Sequence, residues 1–229
     1  MSGALGPLLR GVTRVLLDFD GPVCSIFAGL PADEVAARMR RRIGDAGHAI
    51  EREWEDEGDP LALLSSINET RPELVAYADA VLTELETEAA LLARLNPEIL
   101  DVLDACANSG RTVLLVSNNA GRAIGAYLDR AGLTDRVGGV FGRVPGEPAS
   151  MKPSPRLLLD AMGETAPERC VFIGDAVRDV EAGDAAGVRT IGYANKPGKV
   201  AKLTGAGAAV VVESLLPLAA ALTSPDIHT

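Results

Sequence analysis

Six short runs of uninterrupted apolar residues punctuate the chain: VLL within VLLDFDGPV (15–23), TVLLVS (112–117), GGVFG (138–142), CVFIG (170–174), VRTIGY (188–193) and AAVVVE (208–213). None alternates apolar with polar positions, so each predicts a strand covered on both faces. Between these runs lie PEILDVLDACANSG, GRAIGAYLDRAG, SPRLLLDAMGE and VRDVEAGDAAG, all with helical spacing and each stopping at or near Gly. Strands that alternate with helices require right-handed crossovers and a mainly parallel sheet. The expected fold is a doubly wound, Rossmann-like α/β core.

Residues 21–96 break that rhythm. No convincing strand is found there, and PADEVAARMRRRIGDAG, HAIEREWEDEG, DPLALLSSINE and RPELVAYADAVLTELETEAALLARL all favour helix, with Pro31, Pro60, Pro72 and Pro97 near plausible starts. A helical cap domain at 21–96, inserted into a core made of 1–20 and 97–229, is the expected organisation. VVVESLLPLAAAL is interrupted by Glu213, Ser214 and Pro217 and reads as a strand followed by a packed helix, with TSPDIHT as a loose tail.

Composition narrows the function classes. Apolar residues make up 47% of the 229 and aromatics only 3%, so aliphatic side chains must fill the core. A formal net charge of −10 disfavours broad nucleic-acid or anionic-membrane binding, which needs clustered Lys and Arg, but leaves room for a small anionic ligand beside a cation. Cys24, Cys106 and Cys170 are too few and too scattered for a disulfide framework. The opening MSGALGPLLRGVTR is not a charged leader with a long apolar run. A reducing, cytoplasmic setting is the expectation.

In an open parallel sheet, ligands bind beyond the carboxyl ends of the strands. Asp18 and Asp20 end the first run, Ser117, Asn118 and Asn119 the second, and Asp175 the CVFIG run, with Asp179 four residues on and Lys152 just before a helix. One sheet edge would then gather four carboxylates, a hydroxyl and an ammonium. Such crowding is unfavourable without a cation. Hard oxygen donors with no neighbouring His or Cys point to Mg²⁺.

These residues carry a resemblance. DFDG (18–21), VSNN (116–119), KPSP (152–155) and GDAVRDVEAG (174–183) are similar, in order and spacing, to the four motifs of the haloacid dehalogenase-like hydrolases, and the helical insert matches their C1-type cap. The phosphoglycolate phosphatase-like subgroup is the nearest in pattern. The resemblance implies a Mg²⁺-dependent phosphatase acting on a small phosphorylated metabolite. Asp18 would be the nucleophile that becomes an aspartyl phosphate, and Asp20 the general acid and then base, its backbone carbonyl also ligating the metal. Ser117 and the Asn118 amide would hold a phosphoryl oxygen, and Lys152 would offset charge. Asp175 would bind metal directly, and Asp179 through water or by orienting Lys152. Pro22 and Cys24-Ser25 depart from the family pattern without removing any of these groups.

Other chemistries compete. A dehalogenase of this family lacks the second aspartate, so Asp20 argues against one. A phosphomutase would use the same groups, and a low-activity phosphate sensor of receiver type would draw its acids from different strands. Elsewhere a structural reading is favoured: Arg38, Arg40, Arg41 and Arg42 as an ion-paired face, Trp54 as cap packing, and His48 and His228 as isolated side chains. The loop YANKPGK (193–199) could bring Lys196 or Lys199 towards the site.

Overall fold

The computed structural model describes residues 2–223. Beyond Thr223 the expected tail, His228 included, lies outside the described residues. The core is a six-stranded sheet of β1 (Arg14–Leu17), β4 (Thr112–Ala120), β5 (Gly139–Arg143), β6 (Cys170–Gly174), β7 (Arg189–Tyr193) and β8 (Val210–Val212), ordered β5-β4-β1-β6-β7-β8. Every pairing is parallel. This is the doubly wound order, with its reversal beside β1, where a crevice opens at the strand ends.

Strand pleating sorts the apolar runs between two layers. Val15 and Leu17 of β1 pack with Val113, Leu115, Val171 and Ile173 under α1 (Ser2–Leu9), α5 (Glu98–Asn108), α6 (Gly121–Ala131) and α10 (Leu216–Leu222). Leu16 points the other way, into Leu114, Val116 and Phe172 beneath α7 (Arg156–Met162) and α8 (Val177–Ala185). Burial on both faces is why these strands read as continuous apolar runs.

The cap consists of α2 (Ala32–Asp45), α3 (Pro60–Thr70) and α4 (Val75–Leu92). Helix α4 packs on α6 of the core, while α2 and α3 pack on α4. Trp54 is fully buried, its indole N–H donating to Thr70 Oγ1 at 3.2 Å. No helix among the described residues is long and apolar enough to cross a membrane.

Three expectations are corrected. The insert does hold strand: β2 (Cys24–Ser25) pairs antiparallel with β3 (Arg94–Leu95), a two-residue ribbon where the chain enters and leaves the cap. HAIEREWEDEG forms only a single 3₁₀ turn at Arg52–Trp54. Its five closely spaced carboxylates repel in a helix, and Asp59 caps α3 immediately afterwards through Leu61 N–H at 2.9 Å. The stretch after β7 is not all loop, because α9 (Lys199–Gly205) begins at its last residue.

Candidate active site

Asp18 follows the last residue of β1, and its N–H donates to the Ile173 carbonyl at 2.8 Å, extending the ladder with β6 by one residue. The Phe19 N–H donates to Asp18 Oδ1 at 2.8 Å, so the carboxylate folds over the strand end. The chain then turns tightly: Gly21 N–H donates to the Cys24 carbonyl at 2.6 Å, and the Val23 and Cys24 amides both return to Phe19. Inside this turn Asp20 Oδ1 accepts the Ile26 N–H at 3.0 Å, which ties the second aspartate to the cap entrance. Gly21 has φ +106°, and a Cβ there would lie 2.4 Å from Asp175 Oδ2. Only glycine allows the first and fourth motifs to approach this closely.

The second and third motifs are locked together through backbone. Asn118 Oδ1 accepts the Lys152 N–H at 2.7 Å, and its Nδ2 donates to the Lys152 carbonyl at 3.0 Å. The Asn118 side chain therefore positions Lys152. Ser117 Oγ accepts the Asn119 N–H at 3.2 Å and is almost wholly buried. From this clamp the Lys152 ammonium reaches Asp18 Oδ1 at 2.8 Å, Asp179 Oδ1 at 2.7 Å and the Val116 carbonyl at 3.1 Å.

Asp179 serves two ends at once. Its Oδ2 accepts the N–H groups of Asp175 (3.0 Å) and Ala176 (2.9 Å), capping α8, while Oδ1 holds Lys152. A Cβ at Gly174 would sit 2.4 Å from Asp179 Cβ, so this glycine lets α8 start directly off β6. Asp175 projects beyond the sheet edge, where its Oδ2 accepts Asn195 Nδ2 at 3.0 Å and pairs with the Lys199 ammonium.

Charge is unevenly balanced here. Burial pushes Asp18 up to about 8, against the pull of Lys152 and with repulsion from Asp179 and Asp175. Asp20 is also raised, chiefly by burial; the Ile26 N–H opposes this, Asp175 adds to it, and Lys196 and Arg178 lower it. Burial works against the Lys152 charge, but Asp179 and Asp18 outweigh it and hold its pKa above the ordinary lysine value. One oxygen each from Asp18, Asp175 and Asp179 lies within 4.8 Å of the others. Three clustered carboxylate donors with surplus negative charge fit a hard divalent cation. The carboxylate of Asp20 lies outside that cluster, so only its backbone carbonyl remains as the expected donor.

A second ionic group was not foreseen. Arg143, closing β5, is buried with Asp79 and Glu86 of α4: Nε donates to Asp79 Oδ1 at 2.6 Å, and Nη1 and Nη2 reach the two Glu86 oxygens at 3.0 and 3.1 Å. Arg143 also donates to the Asn118 carbonyl at 2.8 Å, and Glu86 accepts Asn119 Nδ2 at 2.9 Å and the Ala120 N–H at 3.0 Å. Cap helix α4 and the backbone at the end of β4 are thus joined in one network. The available signal was a pair of acids seven residues apart on one face of α4, and a charged residue ending an apolar strand.

The remaining candidates fall outside the site. Arg38 pairs with Glu34 and Glu88, and Arg42 with Glu84, while Arg40 donates to the Trp54 and Glu57 carbonyls. His48 tilts against Tyr77, with ring centroids 6.2 Å apart. A pocket of about 300 Å³ opens between cap and core, with Leu61, Ala62 and Ser65 of α3 on one side, Asn118 and Lys152 on the other, and Arg178 beside them.

Comparison with known proteins supplies the context. The family model for the haloacid dehalogenase-like hydrolases matches residues 13–187. The chain is 28% identical over 190 residues to a phosphoglycolate phosphatase of Pseudomonas putida, covering 78% of this chain and 68% of that protein. It is 29% identical over 195 residues to phosphoglycolate phosphatase 1 of Pseudomonas aeruginosa, covering 78% and 70%. A predicted phosphatase from Clostridium acetobutylicum has the same fold, with a TM-score of 0.69 at 16% identity over 91% of this chain and 97% of that one.

Proposed function

The chain belongs to the haloacid dehalogenase-like hydrolases, and from that premise we propose that it is a Mg²⁺-dependent phosphomonoesterase working through an aspartyl phosphate on a small phosphorylated metabolite. Supporting this reading are the relatives named phosphoglycolate phosphatase. The observation that carries it is the convergence of Asp18, Asp175 and Asp179 around the Lys152 ammonium.

In this reading an Asp18 oxygen attacks phosphorus in line as the ester oxygen departs. Asp20, whose pKa burial raises above the ordinary carboxylate value, gives a proton to the leaving alkoxide. The resulting carboxylate then takes a proton from water, which attacks the phosphorus and releases inorganic phosphate and free Asp18. Lys152 fixes the Asp18 rotamer and neutralises charge on the transferred group. Asp179 orients Lys152 and braces α8. Asp175, Asp18 and the Asp20 carbonyl would hold the divalent ion, which offsets the phosphoryl charge when bound. Residues 21–96 act as the cap, and the segments 1–20 and 97–229 as the catalytic core.

Steady-state phosphate release from phenyl phosphate tests the reading. Turnover should require Mg²⁺, stop with EDTA and resume on metal addition, and Asp18→Asn should lower kcat by ~10³-fold or more. Metal-independent turnover, or an undiminished rate in Asp18→Asn, would refute it.

A further inference from the structure

Strand β4 leaves its ladder where the site begins. It advances from Val116 to Ala120 while β5 advances only from Phe141 to Arg143, so Ser117, Asn118 and Asn119 bulge out of register. All three are buried, and buried backbone groups that lose their strand partners must find others. Two side chains supply them. Arg143 Nη1 donates to the Asn118 carbonyl at 2.8 Å, and Glu86 Oε2 accepts the Ala120 N–H at 3.0 Å. Gly142 permits the approach, since a Cβ there would lie 2.7 Å from the Asn119 carbonyl oxygen.

The Arg143 guanidinium is fully engaged. Its five hydrogen bonds, matching its five N–H donors, go to Asp79, to Thr83, twice to Glu86 and to Asn118. Asp79, Thr83 and Glu86 share one face of α4. The second Asp79 oxygen accepts the Gly146 N–H at 2.8 Å, on the segment that runs from β5 towards Lys152. Burying three charges is often no more stabilising than apolar packing of the same volume. What the group fixes is geometry. Asn118, gripped at its carbonyl, holds the Lys152 backbone with both ends of its side-chain amide, and the Lys152 ammonium meets Asp18 Oδ1 at 2.8 Å. A shift of the Asn118 main chain is therefore passed on to the cation beside the nucleophile.

We propose that Arg143 is a positioning residue for phosphoryl transfer: held by Asp79 and Glu86 of the cap helix, it fixes the Asn118 main chain and, through the Asn118 clamp, sets Lys152 against Asp18. The proposal rests on the phosphatase reading above and deepens it. The cap then supports the nucleophile directly, through α4, besides covering the site.

Two variants keep most of the buried charge. Arg143→Lys retains the cation, but an ammonium lacks the planar fork that serves both carboxylates and the Asn118 carbonyl together. Glu86→Gln leaves Arg143 paired one-to-one with Asp79, a balanced pair that keeps the fold if the lysine variant does not. With phenyl phosphate and Mg²⁺, Arg143→Lys should lower kcat by about ten- to a hundredfold with KM changed no more than about twofold, and Glu86→Gln should act in the same direction. Asn118→Ala releases the same clamp, so adding Arg143→Lys to it should cost no more than about threefold further in kcat. Fully additive losses, or an undiminished kcat in both single variants, overturn the assignment and leave the phosphatase reading intact.

Hydrogen exchange of the substrate-free, full-length protein decides the same point without turnover. The Lys152 N–H, which donates to Asn118 Oδ1, should exchange at least ~10-fold faster in Arg143→Lys relative to the amides of Ile191 and Val211 in the distant strands β7 and β8. An equal rise at all three positions marks a loss of global stability alone and overturns the positioning role, as does an unchanged rate at Lys152. Absence of turnover in the wild type would defeat the phosphatase reading instead, with the exchange rates still deciding whether Arg143 holds the clamp.

Discussion

The Arg143 guanidinium meets Glu86 with two parallel hydrogen bonds, 3.0 and 3.1 Å long, at a point where neither residue is more than 4% exposed. One side chain ends a core strand and the other lies on a cap helix. The pair therefore fixes α4 to the end of β4 that carries Ser117 and Asn118.

Removing the arginine should cost far more than an average substitution. Arg143→Met would leave Asp79 and Glu86 buried without a counter-charge, a situation worth roughly 3–5 kcal/mol. For a chain of this length that corresponds to a fall in melting temperature of roughly 6–20 °C. Urea denaturation and calorimetry read both quantities. A loss below about 1 kcal/mol would mean that water reaches the network and that the helix is not held by it.

At Gly21 the conflict is steric and local. Gly21→Ala would put a methyl into Asp175 Oδ2 and force a non-glycine residue to φ +106°. Strain of about 1–3 kcal/mol is expected, relieved by displacing Asp175. The half-saturating Mg²⁺ concentration should rise at least ~10-fold while the far-UV circular dichroism stays native. Unaltered metal dependence would show that Asp175 does not contribute to the metal site.

The thiols give a chemical check on the core. Burial pushes Cys106 up to about 12 despite the pull of Arg111, and it raises Cys170 against Arg14 and Arg169. Cys24 is raised by burial and further by Asp20 and Asp18, with Arg130 opposing. Since the thiolate is the reactive form, raised values keep these groups protonated where an ordinary thiol has begun to ionise. At pH 8 a disulfide reagent such as DTNB should label none of the three cysteines in native protein and all three in guanidinium. Stoichiometric labelling of the native fold would contradict the buried placement.

The sheet was legible because strands buried on both faces must be apolar throughout, and Asp18 and Asp175 stand out at their ends. The ribbon of Cys24–Ser25 and Arg94–Leu95 was not, since two residues carry no period. Helix α1 was missed because SGALGPLL holds two glycines and a proline, and it is fixed by packing Leu5, Leu8 and Leu9 rather than by propensity. Of the site, the ordered motifs revealed the aspartates and Lys152. The Arg143 network joins residues 57 and 64 positions apart, a proximity that only the folded chain creates.

Lys199 presents the sharpest electrostatic question. Its ammonium and the Asn195 amide both hold Asp175 Oδ2, an oxygen of one of the three clustered carboxylates. A divalent ion bound by Asp175 must share that carboxylate or displace the lysine, so the two cations oppose each other by reciprocal linkage. Lys199→Met removes the competitor and keeps most of the side chain's volume. Calorimetric titration of Mg²⁺ into the substrate-free variant should give a dissociation constant several-fold lower, up to about tenfold, the equivalent of roughly 1.4 kcal/mol. The alternative is that Lys199 helps to neutralise the loaded site by turning towards bound phosphate. In that case the variant would bind Mg²⁺ no more tightly, and its loss would show instead as a raised KM. Because the first effect needs no substrate and the second needs no change in metal affinity, the two titrations separate a lysine that guards the metal position from one that assists the phosphoryl group.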